Sequence, residues 1–132
     1  MSTVNNANDH RPDPEYMHHA HGVFPLADQK APIPAKTFNE SFKQDWEAAD
    51  EKWKYKRVAV TGLVRYKGPD IFGVPSLELS DSADGACEVL ACFHDERAIA
   101  SVREGDLVVV RGNYLTESER FGVVLKMCDL VR

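Results

Sequence analysis

Residues 57–67, RVAVTGLVRYK, decide the fold that we predict for this chain. The stretch is rich in β-branched and aromatic residues, and its apolar side chains alternate between two faces, as in a β-strand. Gly62 interrupts the strand, and a glycine inside a strand usually marks a bulge or a sharp bend. We therefore expect a long, strongly twisted strand that pairs with two different partners, as the first strand of a small closed barrel must.

Four further strands are predicted downstream, at residues 71–80, 86–94, 107–114 and 121–131. Pro75 interrupts the first of them, which favours an edge or a bulge at that position. Residues 95–102 have the character of a short helix, and Gly105 just beyond them suits a helix C-terminus. A mainly β chain with five strands, a bent first strand and a short helix between the third and the fourth has the element order of an OB-fold barrel.

An amphipathic helix is predicted ahead of the barrel, over residues 37–53. Thr37 and Glu40 have the spacing of a capping box, in which each side chain satisfies a free backbone N–H at the helix start. Apolar residues then recur at helical spacing and form one stripe: Phe38, Phe42, Trp46, Ala49 and Trp53. Such a stripe must be buried against the domain. We therefore expect the side chains of Phe42, Trp46 and Trp53 to be largely buried.

Residues 1–36 hold five of the seven prolines and four of the five histidines, and they show no helical or strand periodicity. Because each proline fixes φ and removes a hydrogen-bond donor, we expect an extended or disordered arm over 1–36 and an OB-fold domain over 37–132. His18, His19 and His21 lie close together in the arm. They lack a fixed geometry, so we predict neither a metal site there nor any cofactor.

Charge and cysteine content narrow the function classes. Residues 1–52 carry 5 basic against 9 acidic residues and residues 53–132 carry 11 against 12, for a net charge of −5. The positive and negative charges of residues 53–132 almost balance. This part of the chain therefore lacks the large basic field that drives non-specific DNA binding. Three cysteines without a CxxC pair, no signal-like start and no membrane-length apolar run predict a reduced, cytoplasmic protein without membrane contact.

Several segments resemble the tRNA-anticodon-like OB-fold family of small bacterial and mobile-element proteins. They are AAD at 48–50, WKYK at 53–56, VTG at 60–62, Cys92-Phe93, EGDLVVVRG at 104–112, and Leu125 with Cys128. The resemblance covers roughly residues 37–132 and leaves the arm unexplained. It implies the OB fold and a binding module rather than a defined activity, because a fold alone does not assign a role.

The resemblance also implies where a ligand binds. OB-folds commonly bind single-stranded nucleic acid across strands two and three, between two flanking loops. Aromatic side chains for stacking and cations for the backbone occur at the ends of those loops. The candidate nucleic-acid-binding residues are Arg65, Tyr66, Lys67, Phe72, Tyr114, Arg120, Phe121 and Lys126. With few phosphates neutralised, we predict modest affinity for single-stranded DNA or RNA.

Other features favour a protein partner. Glu78 and Glu88 are predicted to point outward on the second and third strands, where they would repel phosphate. Leu90 is predicted to be exposed between two carboxylates, and Phe24 and Leu26 form a small apolar island in the arm. The alternative function is therefore a protein-interaction adaptor or inhibitor that acts through the barrel face or the arm. The loop aromatic residues would then close the ends of the barrel.

Catalysis is not predicted. No nucleophile and base are paired in a motif, no glycine-rich phosphate loop occurs, and His94 is the one histidine outside the arm. Cys92 and Cys128 are interpreted as small buried hydrophobic residues. The sequence thus predicts a non-enzymatic binding module whose partner is a single-stranded nucleic acid or a protein.

Overall fold

The computed structural model describes residues 22–132. In this part of the chain the elements follow one another in the order β1 (Ile33–Pro34), α1 (Ala35–Gln44), α2 (Trp46–Trp53), β2 (Arg57–Pro69), β3 (Pro75–Ser80), β4 (Val89–Phe93), a 3₁₀ turn (Glu96–Ile99), β5 (Leu107–Ser118) and β6 (Gly122–Leu130). Neither helix of this part approaches the length and hydrophobicity that a bilayer-spanning helix needs.

Five of the strands form a closed barrel in the order β2-β3-β4-β6-β5, with β5 returning to β2. β2 allows this closure because it is long enough for two partners: residues 57–63 pair with β5 and residues 63–69 pair with β3. β4 and β6 run parallel, and the other barrel neighbours are antiparallel. The predicted mainly β fold, a five-stranded OB-fold barrel, is confirmed.

The bulge in β2 does not lie at the predicted position. The register between β2 and β3 shifts between Val64 and Tyr66, so the bulge lies beyond Gly62. A Cβ on Gly62 would lie only 3.0 Å from the carbonyl oxygen of Ser80 and 3.2 Å from the Cβ of Ala35. The missing side chain of Gly62 therefore lets β3 and the start of α1 approach β2 closely.

The core lies inside the barrel and beneath the two helices. Val89, Ala91 and Phe93 of β4 point into it, as the alternation in the sequence predicts. Its largest fully buried side chains come from helices and strands alike: Phe38, Phe42, Leu77, Leu79, Tyr114 and Leu125. One contiguous core thus joins the helical layer to the barrel.

The predicted helix over 37–53 is two helices in the structure, and they meet at Asp45. Asp45 is extended, and its carboxylate accepts a hydrogen bond from the N–H of Ala48 at 3.1 Å, so it ends α1 and caps α2. The predicted capping box is wrong, because α1 begins before Thr37 and Pro34 occupies its N-cap without a side-chain hydrogen bond. The apolar stripe is therefore divided between two short helices.

The divided stripe is buried except where the helices meet. Phe42 and Trp53 are 2% and 7% exposed, as predicted, whereas Trp46, the first residue of α2, is only half-buried. Phe38 packs edge-to-face against both Phe42 and Trp53, with ring centroids 5.6 Å apart in each pair. Since α1 also contacts β2, β3, β4 and β6, these rings close one end of the barrel.

The described part of the arm lies along the first half of β2. The N–H of Ala27 donates to the carbonyl of Arg57 at 2.9 Å, and the N–H of Arg57 donates to the carbonyl of Pro25 at 2.8 Å. Gln29 continues this pairing with its side chain, which bonds both the N–H and the carbonyl of Ala59 at 2.9 Å. This segment is held in place by contacts to the main chain of β2.

Asn113 of β5 holds the start of the described arm. Its side-chain carbonyl accepts hydrogen bonds from the N–H of Phe24 at 3.1 Å and from Arg57 Nη1 at 3.0 Å, and its amide donates to the carbonyl of Gly22. Arg57 is itself buried and forms an ion pair with Asp129 at 2.7 Å. No periodic pattern in the sequence marks this contact, because it depends on a single asparagine in a strand.

Several predicted boundaries differ from those of the structure. The strand predicted at 71–80 begins only at Pro75, because the residues before it form a loop. The fourth barrel strand extends to Ser118, which shortens the following polar loop to 119–121. The boundary between arm and domain at residue 37 stays a prediction. The histidine cluster of the arm lies outside the described residues.

Candidate binding face

A second, smaller apolar cluster lies on the outside of the barrel, and we call it the outer cluster. It is centred on Leu90 and Cys92 of β4, which alternate with core residues, and on Val124 of β6. These three side chains are buried because four half-buried residues pack against them: Val74, Cys87, Leu115 and Phe121. Leu90 therefore points out of the barrel but is only 6% exposed, which corrects the prediction that it is exposed.

Two loops contribute to the outer cluster and flank it. The β2–β3 loop (70–74) contributes Val74, and the β5–β6 loop (119–121) contributes Phe121. Both loops therefore approach the same outer surface, which is formed by β4, β5 and β6, with β3 paired to β4 beside it. We call this surface between the two loops the barrel face. Its position corresponds to the ligand-binding surface of OB-folds.

The β2–β3 loop is short and internally hydrogen-bonded. The carboxylate of Asp70 accepts hydrogen bonds from the N–H groups of Phe72 at 2.8 Å and of Val74 at 2.9 Å. Gly73 has a φ of +82°, which only glycine adopts without strain. The tip of this fixed loop nevertheless carries Ile71, 68% exposed, and Phe72, 81% exposed. An exposed aromatic ring on a preformed loop loses little conformational freedom when something packs against it.

The β5–β6 loop carries a cation and an aromatic ring in contact. The guanidinium carbon of Arg120 lies 5.3 Å from the centroid of the Phe121 ring. Phe121 is half-buried, and its N–H donates to the hydroxyl of Ser118 at 3.0 Å. Gly122 follows with a φ of +72°, and a Cβ there would collide with the carbonyl of Glu88. The close approach to this carbonyl therefore fixes where the loop ends.

Two of the predicted phosphate contacts are engaged inside the protein. Arg65 forms an ion pair with Glu78 across the bulge between β2 and β3. Lys67 turns toward the 3₁₀ turn, where its Nζ donates to the carbonyls of Ala100 at 3.3 Å and Val102 at 2.9 Å. A phosphate would therefore compete with Glu78 for Arg65. Lys67 binds two backbone carbonyl groups and does not point toward a ligand.

The other two predicted cations remain at the barrel face. Arg120 is exposed, and the half-buried Lys126 lies near the thiol of Cys92. Burial raises the pKa of the Cys92 thiol and raises the pKa of Cys87 to about 12. Both thiols are therefore protonated at neutral pH and add no negative charge to the face. Cys92 and Cys128 are buried, as predicted for small hydrophobic residues.

Tyr114 and Glu88 do not lie on the barrel face, contrary to prediction. Tyr114 is 1% exposed, its ring packs against Phe42, and its hydroxyl donates to the carboxylate of Asp50 at 2.5 Å. Glu88 is buried against α1, where it accepts a hydrogen bond from the side-chain amide of Asn39 at 2.9 Å. Tyr114 therefore cannot stack on a base, and Glu88 does not repel a ligand at the face.

The remaining predicted residues lie apart from one another. Tyr66, at the end of β2, is 36% exposed, and its hydroxyl donates to the carbonyl of Pro69 at 3.2 Å. Phe24 and Leu26 lie in the arm beside the start of β2, whereas Leu90 lies in the outer cluster. The three residues of the protein-interaction alternative therefore do not form one surface.

A closed five-stranded barrel with a loop-flanked outer face defines an OB-fold binding module. Within residues 22–132, no group of three or more His, Cys, Asp or Glu side chains is placed to hold a metal ion. The model of the tRNA_anti-like family matches residues 4–129, so this chain belongs to the tRNA_anti-like family. The resemblance found in the sequence is thereby confirmed.

Comparison with solved structures supports the same fold. The chain is similar to the crystal structure of a "putative nucleic acid-binding lipoprotein" from Klebsiella pneumoniae subsp. pneumoniae, with a TM-score of 0.61. The two sequences are 15% identical, and the match covers 77% of this chain and 92% of that chain. At this identity the likeness shows the fold alone. No curated protein matches the chain.

Proposed function

We propose that this protein is a non-enzymatic module that binds single-stranded nucleic acid, DNA or RNA, across the barrel face with modest affinity. One observation carries the proposal: two loops converge on the face, with the exposed ring of Phe72 on one loop and Arg120 over Phe121 on the other. Membership of the tRNA_anti-like family and the likeness to the Klebsiella lipoprotein support it.

Stacking supplies most of the binding free energy in this proposal. Every base has a π-face, so an exposed ring such as Phe72 binds bases of any sequence, at roughly 1–3 kcal/mol for each stacked base. Because the β2–β3 loop is already hydrogen-bonded, the ring of Phe72 loses little freedom on binding. Tyr66 and Phe121 are more covered than Phe72, and we expect each to contribute less.

Phosphate contacts are few. Of the predicted cations in the described part of the chain, Arg120 and Lys126 are the ones that we place in contact with phosphate, because Glu78 neutralises the charge of Arg65. Each phosphate neutralised on a single strand contributes about −0.7 to the slope of log affinity against log salt, so two cations give about −1.4. We therefore expect modest affinity and a shallow salt dependence.

Fluorescence anisotropy with labelled single-stranded DNA and RNA at two salt concentrations tests the proposal. Phe72→Ala should weaken binding by about 1–3 kcal/mol, the contribution of one stacked base. Ile71→Ala is the matched control, because Ile71 is exposed on the same loop but has no ring. This control should leave the binding free energy within about 0.5 kcal/mol of the unmodified protein. No binding at low salt, or equal losses in the two variants, would contradict the proposal.

We propose a protein partner as the second candidate, on a separate observation. Val23 and Leu26 are 73% and 66% exposed although the arm that carries them is hydrogen-bonded to β2. Apolar side chains on a fixed extended segment are typical of surfaces that recognise peptides or proteins. Capture of partners from a host lysate with and without nuclease discriminates between the candidates. Proteins that are still captured after nuclease treatment, and are no longer captured by Leu26→Ala, would favour a protein partner. Loss of every captured protein on nuclease treatment would favour a nucleic-acid partner.

A further inference from the structure

A cleft of about 510 Å³ adjoins the β2–β3 loop outside the barrel face. The residues that line it come from the end of β2, the start of β3 and the 3₁₀ turn, and they include Gly68, Pro69, Pro75, Arg97, Ile99 and Ala100. None of them belongs to the outer cluster. The cleft is therefore a feature separate from the barrel face.

Internal hydrogen bonds hold the two walls of the cleft in place. Lys67 Nζ, on the β2 side, donates to the carbonyls of Ala100 and Val102 on the other side. The hydroxyl of Ser76 donates to the carbonyl of Gly68 at 3.0 Å, which keeps β2 and β3 paired to their ends. The cleft is therefore preformed, and Lys67 acts in it as a positioning residue.

The lining of the cleft combines apolar surface with two charged side chains of the 3₁₀ turn, Glu96 and Arg97. Pro69 and Pro75 lie on the wall formed by β2 and β3. Arg97 stands on the opposite wall with its side chain 92% exposed, next to the carboxylate of Asp95 at 3.3 Å. A planar base packs on apolar ring surfaces. A phosphate can displace Asp95 from Arg97, because this ion pair is far more exposed than that of Arg65 with Glu78 and is therefore weak. The cleft can therefore contact two of the three parts of a nucleotide, the base and the phosphate.

The β2–β3 loop connects the cleft to the barrel face. Val74 packs in the outer cluster, Gly73 lines the cleft, and Phe72 stands at the exposed tip of the same loop. We infer that the cleft is a second nucleotide site: a strand that crosses the barrel face continues past Phe72, with its next base on the prolines and its phosphate on Arg97. This inference rests on the proposed function and extends the binding track beyond the two loops.

Oligonucleotides of two lengths distinguish binding at the cleft from binding at the barrel face. A strand of about four nucleotides covers the face alone and one of about ten reaches the cleft, within the OB-fold site sizes of roughly 4–16 nucleotides. Arg97→Ala should weaken binding of the longer strand several-fold, reduce the magnitude of its salt slope by about 0.7, and leave the shorter strand unaffected. Arg103→Ala is the matched control, because Arg103 is exposed but does not line the cleft, and it should change neither.

Backbone amide chemical shifts give a second measurement on the unmodified protein. The amides of Arg97 and Ala100 should shift on titration with the longer strand and stay unchanged with the shorter one. Equal losses for both lengths in Arg97→Ala, or shifts confined to the barrel face, would overturn the second site and leave the barrel-face proposal intact. Failure of the unmodified protein to bind either length would overturn both.

Discussion

Two groups of aromatic side chains lie at different parts of the barrel, and only one group is covered. Phe38, Phe42 and Tyr114 are 1–2% exposed, whereas Tyr66 and Phe72 are 36% and 81% exposed. The residue types are alike, so the difference comes from the neighbouring elements. Two helices close over the first group, and two short loops carry or flank the second. An aromatic residue is thus buried or exposed according to which elements of the chain pack over it.

The largest expected effect tests the covered group. Phe42→Ala should lower the free energy of unfolding by about 3–5 kcal/mol, because it removes a fully buried ring and leaves a cavity. Phe72→Ala is the comparison, and it should change the same quantity by no more than about 0.5 kcal/mol. Urea denaturation followed by tryptophan fluorescence measures both. Equal stability of the two variants would remove the distinction between the groups.

A smaller loss of stability is expected when the contact between the arm and β5 is removed. Asn113→Ala removes hydrogen bonds to the backbone of Gly22 and Phe24 and one from Arg57. Removing a buried hydrogen-bond partner costs about 1–3 kcal/mol, and the free energy of unfolding should fall by that amount. Amide hydrogen exchange should show lost protection at Phe24 and Ala27. Unchanged protection in the arm would mean that Asn113 does not hold it.

The smallest expected effect is on the affinity for single strands at the barrel face. Glu78→Gln removes the ion pair of Arg65 and frees its guanidinium for a phosphate. Affinity for single strands should rise by about 0.2–1 kcal/mol, the range for an exposed ion pair, and the salt slope should steepen by about 0.7. Glu88→Gln is the matched control, because Glu88 is buried against Asn39, and it should leave affinity unchanged. Weaker binding by Glu78→Gln in anisotropy measurements would contradict the role given to Arg65.

Features that depend on residues close in the chain could be predicted from the sequence. The alternation of β4 places Val89, Ala91 and Phe93 in the core, and the helical stripe places Phe42 and Trp53 there too, because strands and helices have fixed periods. The order of the predicted elements was likewise enough to predict the barrel. The break at Asp45 was not predicted, since the stripe continues across it without a change of period.

Burial of outward-pointing residues could not be predicted in the same way. Leu90 points away from the core, as alternation requires, yet Val74 and Phe121 from two loops pack over it. Tyr114 was expected beside a loop, but Asp50 of α2 accepts a hydrogen bond from its hydroxyl inside the core. These contacts join residues far apart in the sequence, and periodicity carries no information about them.

The partners of Arg65 and Lys67 could not be predicted either, because they too are not adjacent in the sequence. Arg65 meets Glu78 because a bulge shifts the register of β2 against β3, and a shift of one residue changes which side chains face each other. Lys67 binds the carbonyls of Ala100 and Val102, which follow the 3₁₀ turn. Neither partner is indicated by the pattern of residues 57–67, so both cations were assigned to phosphate.

The β2–β3 loop leaves its tip free to diversify in evolution. Its shape depends on hydrogen bonds that stay within residues 70–74, and the exposed Ile71 and Phe72 lie outside both apolar clusters. Substitutions at these two positions change what the protein presents at its surface while the barrel folds as before. In the proposed function this tip contacts the ligand, so ligand preference can change there without loss of the fold.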